Sequence, residues 1–292
     1  MAARKLATLL VVAAGTVGLL DGIASAGVTA HSDREGSAGG LVYRSSSLQF
    51  AGAGDAVAAC PKKRVLSGGG ASLDGDPSMG YLGRLAPDYS SPDVSFKKGY
   101  GASGYVQGLG QDLKTYAICQ RRSEAPVFRQ KQDLFSMPGT PITLQSKCPR
   151  GTHVTGGGVD NGAHDDDLLI SAPYDGNDGD SKPDDGWLGE VVPTHTAQIT
   201  TVRAICAKGK LTYESGDETG TGNPDAGATC PTNAVVTGGG ASISGGAGAT
   251  LFRSQPSDVG DANTTPEDGW YGLAHTISSR TLTIYAICRK VP

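Results

Sequence analysis

The chain has 292 residues, of which 44 are Gly and 16 are Pro, with 38% hydrophobic, 18% charged and 6% aromatic residues. Glycine at this density without a three-residue period excludes collagen and argues against long helices and coiled coils, while the combined Gly and Pro share stays below that of disordered chains. A net charge of −4 offers no basic footprint, so neither nucleic acid nor an anionic membrane surface is expected as a partner.

The chain opens on Met1-Ala2-Ala3-Arg4-Lys5, an apolar stretch from Leu6 to Leu20, and Ala24-Ser25-Ala26. Charged, apolar and small residues in that order read as a secretory signal peptide over 1–26, cleaved after Ala26. An apolar run of about 15 residues falls short of the roughly 20 that span a bilayer. No later run approaches that length, so no membrane span and a secreted, extracellular product are expected. Residues 27–40 read as a flexible N-terminal segment.

Self-similarity dominates the remainder. Cys60-Pro61 opens a frame that reaches Gly68-Gly69-Gly70, and the frame returns from Cys148-Pro149 to Gly156-Gly157-Gly158 and from Cys230-Pro231 to Gly238-Gly239-Gly240. Each unit closes alike, with Tyr116-Ala117-Ile118-Cys119, Arg203-Ala204-Ile205-Cys206 and Tyr285-Ala286-Ile287-Cys288. Between these marks lie Gly99-Tyr100, Gly186-Trp187 and Gly269-Trp270. The last two follow Pro183-Asp184-Asp185 and Pro266-Glu267-Asp268, where the first unit has Phe96-Lys97-Lys98. Pro87, Pro173 and Pro256 close segments containing Leu82, Leu169 and Leu251. Short β-rich runs between Gly, Pro and Asp turns predict an all-β fold of three tandem antiparallel repeats, at 41–123, 124–208 and 209–292.

The closing strands carry the clearest period. Leu113, Thr115, Ala117 and Cys119 share one face, as do Thr200, Val202, Ala204 and Cys206, and Leu282, Ile284, Ala286 and Cys288. Lys114, Tyr116 and Ile118 and their counterparts form the other face, so period two predicts half-buried antiparallel strands. Six cysteines in an exported chain read as three disulfides. Three copies of one sequence should cross-link alike, and the economical pattern is Cys60–Cys119, Cys148–Cys206 and Cys230–Cys288. A cyclic pattern joining neighbouring units would also respect the repeat. The Gly-Gly-Gly segments serve either close backbone approach where units meet or a ligand site, and packing is favoured because no polar constellation accompanies them.

Catalytic motifs are sparse. Gly99-Tyr100-Gly101-Ala102-Ser103-Gly104 fits a dinucleotide fingerprint but lacks a βαβ context, and no nucleophile elbow, zinc helix or phosphate loop is present. His31, His153, His164, His195 and His275 share no frame across the units. His164-Asp165-Asp166-Asp167 and the run from Asp175 to Asp180 suggest Ca²⁺, yet an EF-hand starting at Asp175 would need ligands where Gly179 and Gly186 stand. No metal or cofactor is expected. Tyr100, Trp187 and Trp270 are the candidate binding residues, as three equivalent platforms for sugar rings; their alternative role is to anchor strand starts in the core.

The Cys-Pro opening, Gly-Gly-Gly, Gly-Trp and Ala-Ile-Cys close resemble repeats of secreted actinobacterial proteins of uncharacterised role, over about residues 41–292. More distantly, three cysteine-bearing β units are similar to the vitelline membrane outer layer protein family, whose β-prism with pseudo-threefold symmetry the resemblance implies here. Cys148, Pro149 and Gly151 carry that family's Cys-Pro-x-Gly opening, in the second unit alone, and the period here is longer than in that family. The resulting expectation is a secreted, non-catalytic protein that binds an extracellular glycan or a protein partner in an envelope or secreted assembly. The alternatives are a structural scaffold and a hydrolase using His195 or His275 between repeats.

Overall fold

The computed structural model describes residues 30–87, 98–124, 126–135, 137–162, 166–176, 179–196, 198–259 and 263–291. The expected export signal lies outside them, as do Phe96, Lys97, His164, Asp165, Asn177 and Asp178. The first unit contributes β2 (Leu41–Ala59), β3 (Arg64–Leu73), β4 (Gly80–Pro87) and β5 (Gly99–Arg121), preceded by β1 (Ala30–Ala38). The second contributes β6 (Val127–Phe135), β7 (Ile142–Lys147), β8 (His153–Asp160), β9 (Asp167–Tyr174), β10 (Gly186–Val192) and β11 (Gln198–Ala207). The third contributes β12 (Leu211–Gly222), β13 (Asp225–Thr229), β14 (Ala234–Ile243), β15 (Ala249–Ser257) and β16 (Gly269–Lys290). The helical structure among the described residues is two single 3₁₀ turns, Pro77–Met79 and Arg122–Glu124.

β2, β5 and β16 are long because each turns a corner and serves two sheets. The first half of β2 pairs with the second half of β5, and the register slips between Phe50 and Gly52 before the remaining halves pair. In the second unit the same path is broken into β10 and β11 on one side and β6 and β7 on the other. Each unit is therefore a bent pair of three-stranded half-sheets, and each half-sheet joins a half-sheet of a neighbour.

The joints repeat residue for residue. β3 meets β15 at Ala71–Ser254, β8 meets β4 at Val159–Leu85, and β14 meets β9 at Ala241–Ser171. The first unit thus leans on the third, the second on the first and the third on the second. Closing that cycle gives three mixed faces of a prism around a pseudo-threefold axis, antiparallel throughout. Each Gly-Gly-Gly strand also carries the same bulge, at Ser67, Thr155 and Thr237.

Glycine permits the closure. A Cβ on Gly68 would stand 2.5 Å from the Thr237 carbonyl oxygen, one on Gly156 would stand 2.7 Å from Gly68 Cα, and one on Gly238 would collide with the Thr155 carbonyl. Three backbones therefore touch one another in a ring, a distance of approach that any side chain would prevent. This is the packing role anticipated for these segments.

The three disulfides are Cys60–Cys119, Cys148–Cys206 and Cys230–Cys288, one per unit. Each joins the end of a strand on one face to a closing strand on the next, so each staples a prism corner. The small and apolar face of every closing strand is buried as its period predicts, with Thr200 at 1% the most exposed member. The Cys-Pro turn also repeats: Lys63, Gly151 and Asn233 occupy one place in it with φ of 68°, 78° and 64°.

Within the segment read as flexible, 27–40, Ala30–Ala38 is a strand paired antiparallel with β2 from Ala30–Leu48 to Ala38–Leu41. Its polar sequence carries no alternation that marks a strand. It is ordered by the edge of β2, whose backbone groups would otherwise be unpaired.

Candidate functional site

The predicted binding residues are placed inside the prism. Tyr100, Trp187 and Trp270 are each 1% exposed, and their rings lie on the middle glycines Gly69, Gly157 and Gly239. Their faces are covered, so the sugar-platform expectation is corrected in favour of the anchoring role. Their polar ends are satisfied within the chain: Trp187 Nε1 donates to Ser171 Oγ at 3.1 Å and Trp270 Nε1 to Ser254 Oγ at 2.9 Å. At the matching place the first unit has Leu85, and there Tyr100 Oη donates across the joint to the Gly157 carbonyl at 3.1 Å.

The open chemistry lies on the other side of the same strands. Because side chains alternate, burying Ala117 and Cys119 turns Lys114 and Tyr116 outward, and burying Trp270 turns Tyr271 outward. Where the first unit meets the third, these outward positions face one another across a cleft of about 650 Å³. Tyr43, Ser45, Lys114 and Tyr116 line the first-unit wall, and Gln255, Ser257, Tyr271 and Thr229 line the third-unit wall, with Thr264 and Thr265 at the rim. Gln255 Oε1 is buried without a hydrogen-bond partner. Lys114 Nζ lies 5.1 Å from the centre of the Tyr116 ring. Tyr271 Oη donates to Asp225 Oδ2 at 3.0 Å. Burial and that acceptor push its phenol up to about 12, so it stays protonated at neutral pH.

The floor is Tyr43, which is 3% exposed and whose Oη donates 2.7 Å to the Val236 carbonyl of the third unit. Burial first, and the Glu267 carboxylate second, hold its pKa well above the usual phenol value. Tyr43→Phe should cost about 1–2 kcal/mol, because it leaves a buried carbonyl unpaired at a joint between units; equilibrium urea unfolding measures it.

The other two joints vary this design. Between the third and second units Tyr285 takes the place of Tyr116, and Tyr213 Oη donates to the Val154 carbonyl at 2.8 Å as Tyr43 does. Between the second and first units the place of Tyr43 falls to Phe128, which has no hydroxyl, and that of Tyr116 to Arg203. Arg203 Nη1 lies 2.9 Å from Asp160 Oδ2 within the second unit, Arg84 Nη1 lies 3.4 Å from Asp55 Oδ1 within the first, and Arg84 Nε reaches across the joint to Asp160 Oδ1 at 4.0 Å. That joint is sealed by ion pairs instead of tyrosines.

The remaining candidates are consumed locally. His153 Nδ1 is 2.8 Å from Asp184 Oδ2, and His275 Nδ1 is 2.9 Å from Asn223 Oδ1. In the acidic region Asp180 holds Lys182 through its backbone and its ammonium group, Asp185 Oδ2 accepts from Gly176 N at 2.6 Å, and Asp166 Oδ1 accepts from Thr194 N and Oγ1. Among the described residues no group of three or more His, Cys, Asp or Glu is placed to hold a metal ion.

Burial, with the neighbouring Asp166 second, raises the Asp167 carboxyl to about 6. That lies above its unfolded value of about 3.9, so the folded chain binds the extra proton and stability falls as pH rises from about 4 to 6. Asp167→Asn should remove this dependence and raise stability at pH 7. Thermal unfolding of the two proteins at pH 4 and 7 checks it.

Sequence reasoning placed Tyr116 on the outer face of its strand but missed Tyr271 and Gln255. The available signal was an aromatic on the half-exposed side of a strand beside a buried one. Among the described residues no helix is long and apolar enough to cross a membrane. No family profile and no curated protein matches the chain. Among solved structures, a chain from an archaeal virus, described under a triple jelly roll fold and turret assembly, aligns with 90% of each chain at 10% identity and a TM-score of 0.18. A superposition of that quality carries no argument.

Proposed function

We propose that this is an exported, non-catalytic glycan-binding protein whose site is the cleft between the first and third units. The observation that carries the reading is the convergence of two outward tyrosines with an unpartnered buried amide oxygen, Gln255 Oε1, in a cleft of about 650 Å³. Binding clefts have volumes of roughly 300–1,000 Å³, with apolar surface and a few fixed polar groups. Tyr116 and Tyr271 offer flat apolar faces to a pyranose ring. Ser45, Ser257, Thr229 and Gln255 offer the donors and acceptors its hydroxyls need. Arg44, Lys114 and Asp258 are the charged residues of the lining, and a site carrying both signs suits a neutral sugar better than a polyanion. Export is supported by the signal-like N-terminus and by three disulfides, which persist in oxidising compartments.

A glycan array probed with the mature protein tests the reading. Binding to a neutral oligosaccharide is expected, weakened at least about tenfold by Tyr116→Ala combined with Tyr271→Ala, a loss of about 1.4 kcal/mol, while circular dichroism stays unchanged. Trp187→Phe should leave affinity unchanged because that ring never meets ligand. An array without signal, or affinity indifferent to both tyrosines, would overturn the proposal.

A further inference from the structure

A second cavity lies on the pseudo-threefold axis, at the end where the closing strands finish, and it encloses about 510 Å³. All three units build it. Its lining follows the symmetry: the bulged Thr155 and Thr237 line it, as do Gln120, Ala207 and Arg289, the residues that follow the three closing cysteines. The first residues of β6 and β12, Val127 and Leu211, supply apolar surface.

The electrostatics of the lining are uneven. Thr155 Oγ1 donates to the Ser67 and Ile205 carbonyls at 3.0 and 3.1 Å, and Thr237 Oγ1 donates to the Ile287 carbonyl at 3.0 Å. Both hydroxyl protons are therefore engaged, and the pocket wall between them presents little polarity. Arg289 Nη1 pairs with Glu124 Oε2 at 2.6 Å and Nη2 donates to the Gly39 carbonyl at 3.1 Å, so its charge is neutralised within the chain. Lys208 lines the cavity, is exposed and has no carboxylate partner among the described residues. Val127 is 39% exposed, an apolar surface at the same opening.

We propose that this axial cavity is a second binding site, for small amphipathic carboxylates, with the apolar body against Val127, Ala207 and Leu211 and the carboxylate at Lys208. The class follows from the lining. A sugar would set hydroxyls against Val127, Ala207 and Leu211, which offer them no partners, and that costs free energy. A neutral hydrocarbon would leave the lone ammonium unused. The site shares no lining residue with the cleft between the first and third units.

Octanoate and 1-octanol are the probes, titrated into the mature protein by ¹H–¹⁵N correlation spectroscopy. Octanoate is expected to shift the amides of Val127, Ala207 and Leu211 and to bind more tightly than octanol. Lys208→Ala should weaken octanoate about fivefold, as befits one exposed charge, and leave octanol unchanged. Ala207→Trp fills the cavity and should abolish both; because Ala207 sits in a strand, Ser123→Trp, on an exposed turn at the rim, makes the same test without touching the sheet. Absence of shifts at about 10 mM octanoate, an affinity too weak for a specific site, would overturn the proposal. So would binding retained in both tryptophan variants, or a Lys208→Ala effect of equal size on octanoate and octanol.

Discussion

Gly157→Ala should destabilise the protein by about 3 kcal/mol or more, and the cause is specific. Its new Cβ would overlap the Trp187 ring on one side and the Arg203 carbonyl on the other. The ring is 1% exposed and pinned by its hydrogen bond to Ser171. The carbonyl belongs to β11, held on both flanks by β6 and β8. Neither can retreat as the tip of a flexible side chain would. Inserting a methyl group into a packed core costs about 1–3 kcal/mol and more where nothing can give, and here both obstacles are fixed. Gly220→Ala is the control: its nearest obstacle is Pro224 Cβ at 4.0 Å, so its effect should stay near the helix-independent background of about 0.5 kcal/mol for surface changes. Urea unfolding of the three proteins under oxidising conditions reads the difference. Since Gly69 and Gly239 sit under Tyr100 and Trp270 in the same way, alanine there should reproduce the loss.

The second large effect is loss of a corner bridge. Cys148→Ser combined with Cys206→Ser opens a loop of 58 residues, and the chain-entropy model sets the cost at roughly 4 kcal/mol. Because Cys206 is wholly buried, the serine there would also place a hydroxyl where no water reaches, adding to the loss. Against a total stability of about 5–15 kcal/mol for a domain, this variant should sit near the edge of folding at 37 °C. Thermal unfolding with and without reductant checks it: the wild type should lose stability on reduction by more than the double variant, which retains two bridges to lose.

The repeat explains what was legible in the chain. Identical Cys-Pro and Ala-Ile-Cys marks imposed the same cross-link on every copy, so the pairing could be argued before any coordinate. Period two in the closing strands named their buried faces, Leu113 through Cys119 and the two counterparts. The Gly-Gly-Gly runs, lacking polar company, pointed to backbone contact. The cleft was not legible, for a physical reason. Tyr116 and Tyr271 belong to different units, and both sit on strand faces that a single unit leaves half exposed. Only the ring closure, which sets β3 beside β15 through two residue pairs, turns those two faces toward each other. The aromatic triad misled because a Gly-Trp recurring in three units signals a shared environment, and a shared environment in a repeat is most often the core. β1 escaped notice because its partner, not its own pattern, orders it.

Native-state hydrogen exchange tests the closed ring most directly. If the three Gly-Gly-Gly strands support one another at the axis, the amides of Leu66–Leu73, Val154–Asp160 and Val236–Ile243 should open with a single common free energy, equal to that of global unfolding. Three separate opening free energies, one for each strand, would mean that the units are independent beads and that the cleft between the first and third is not a fixed site.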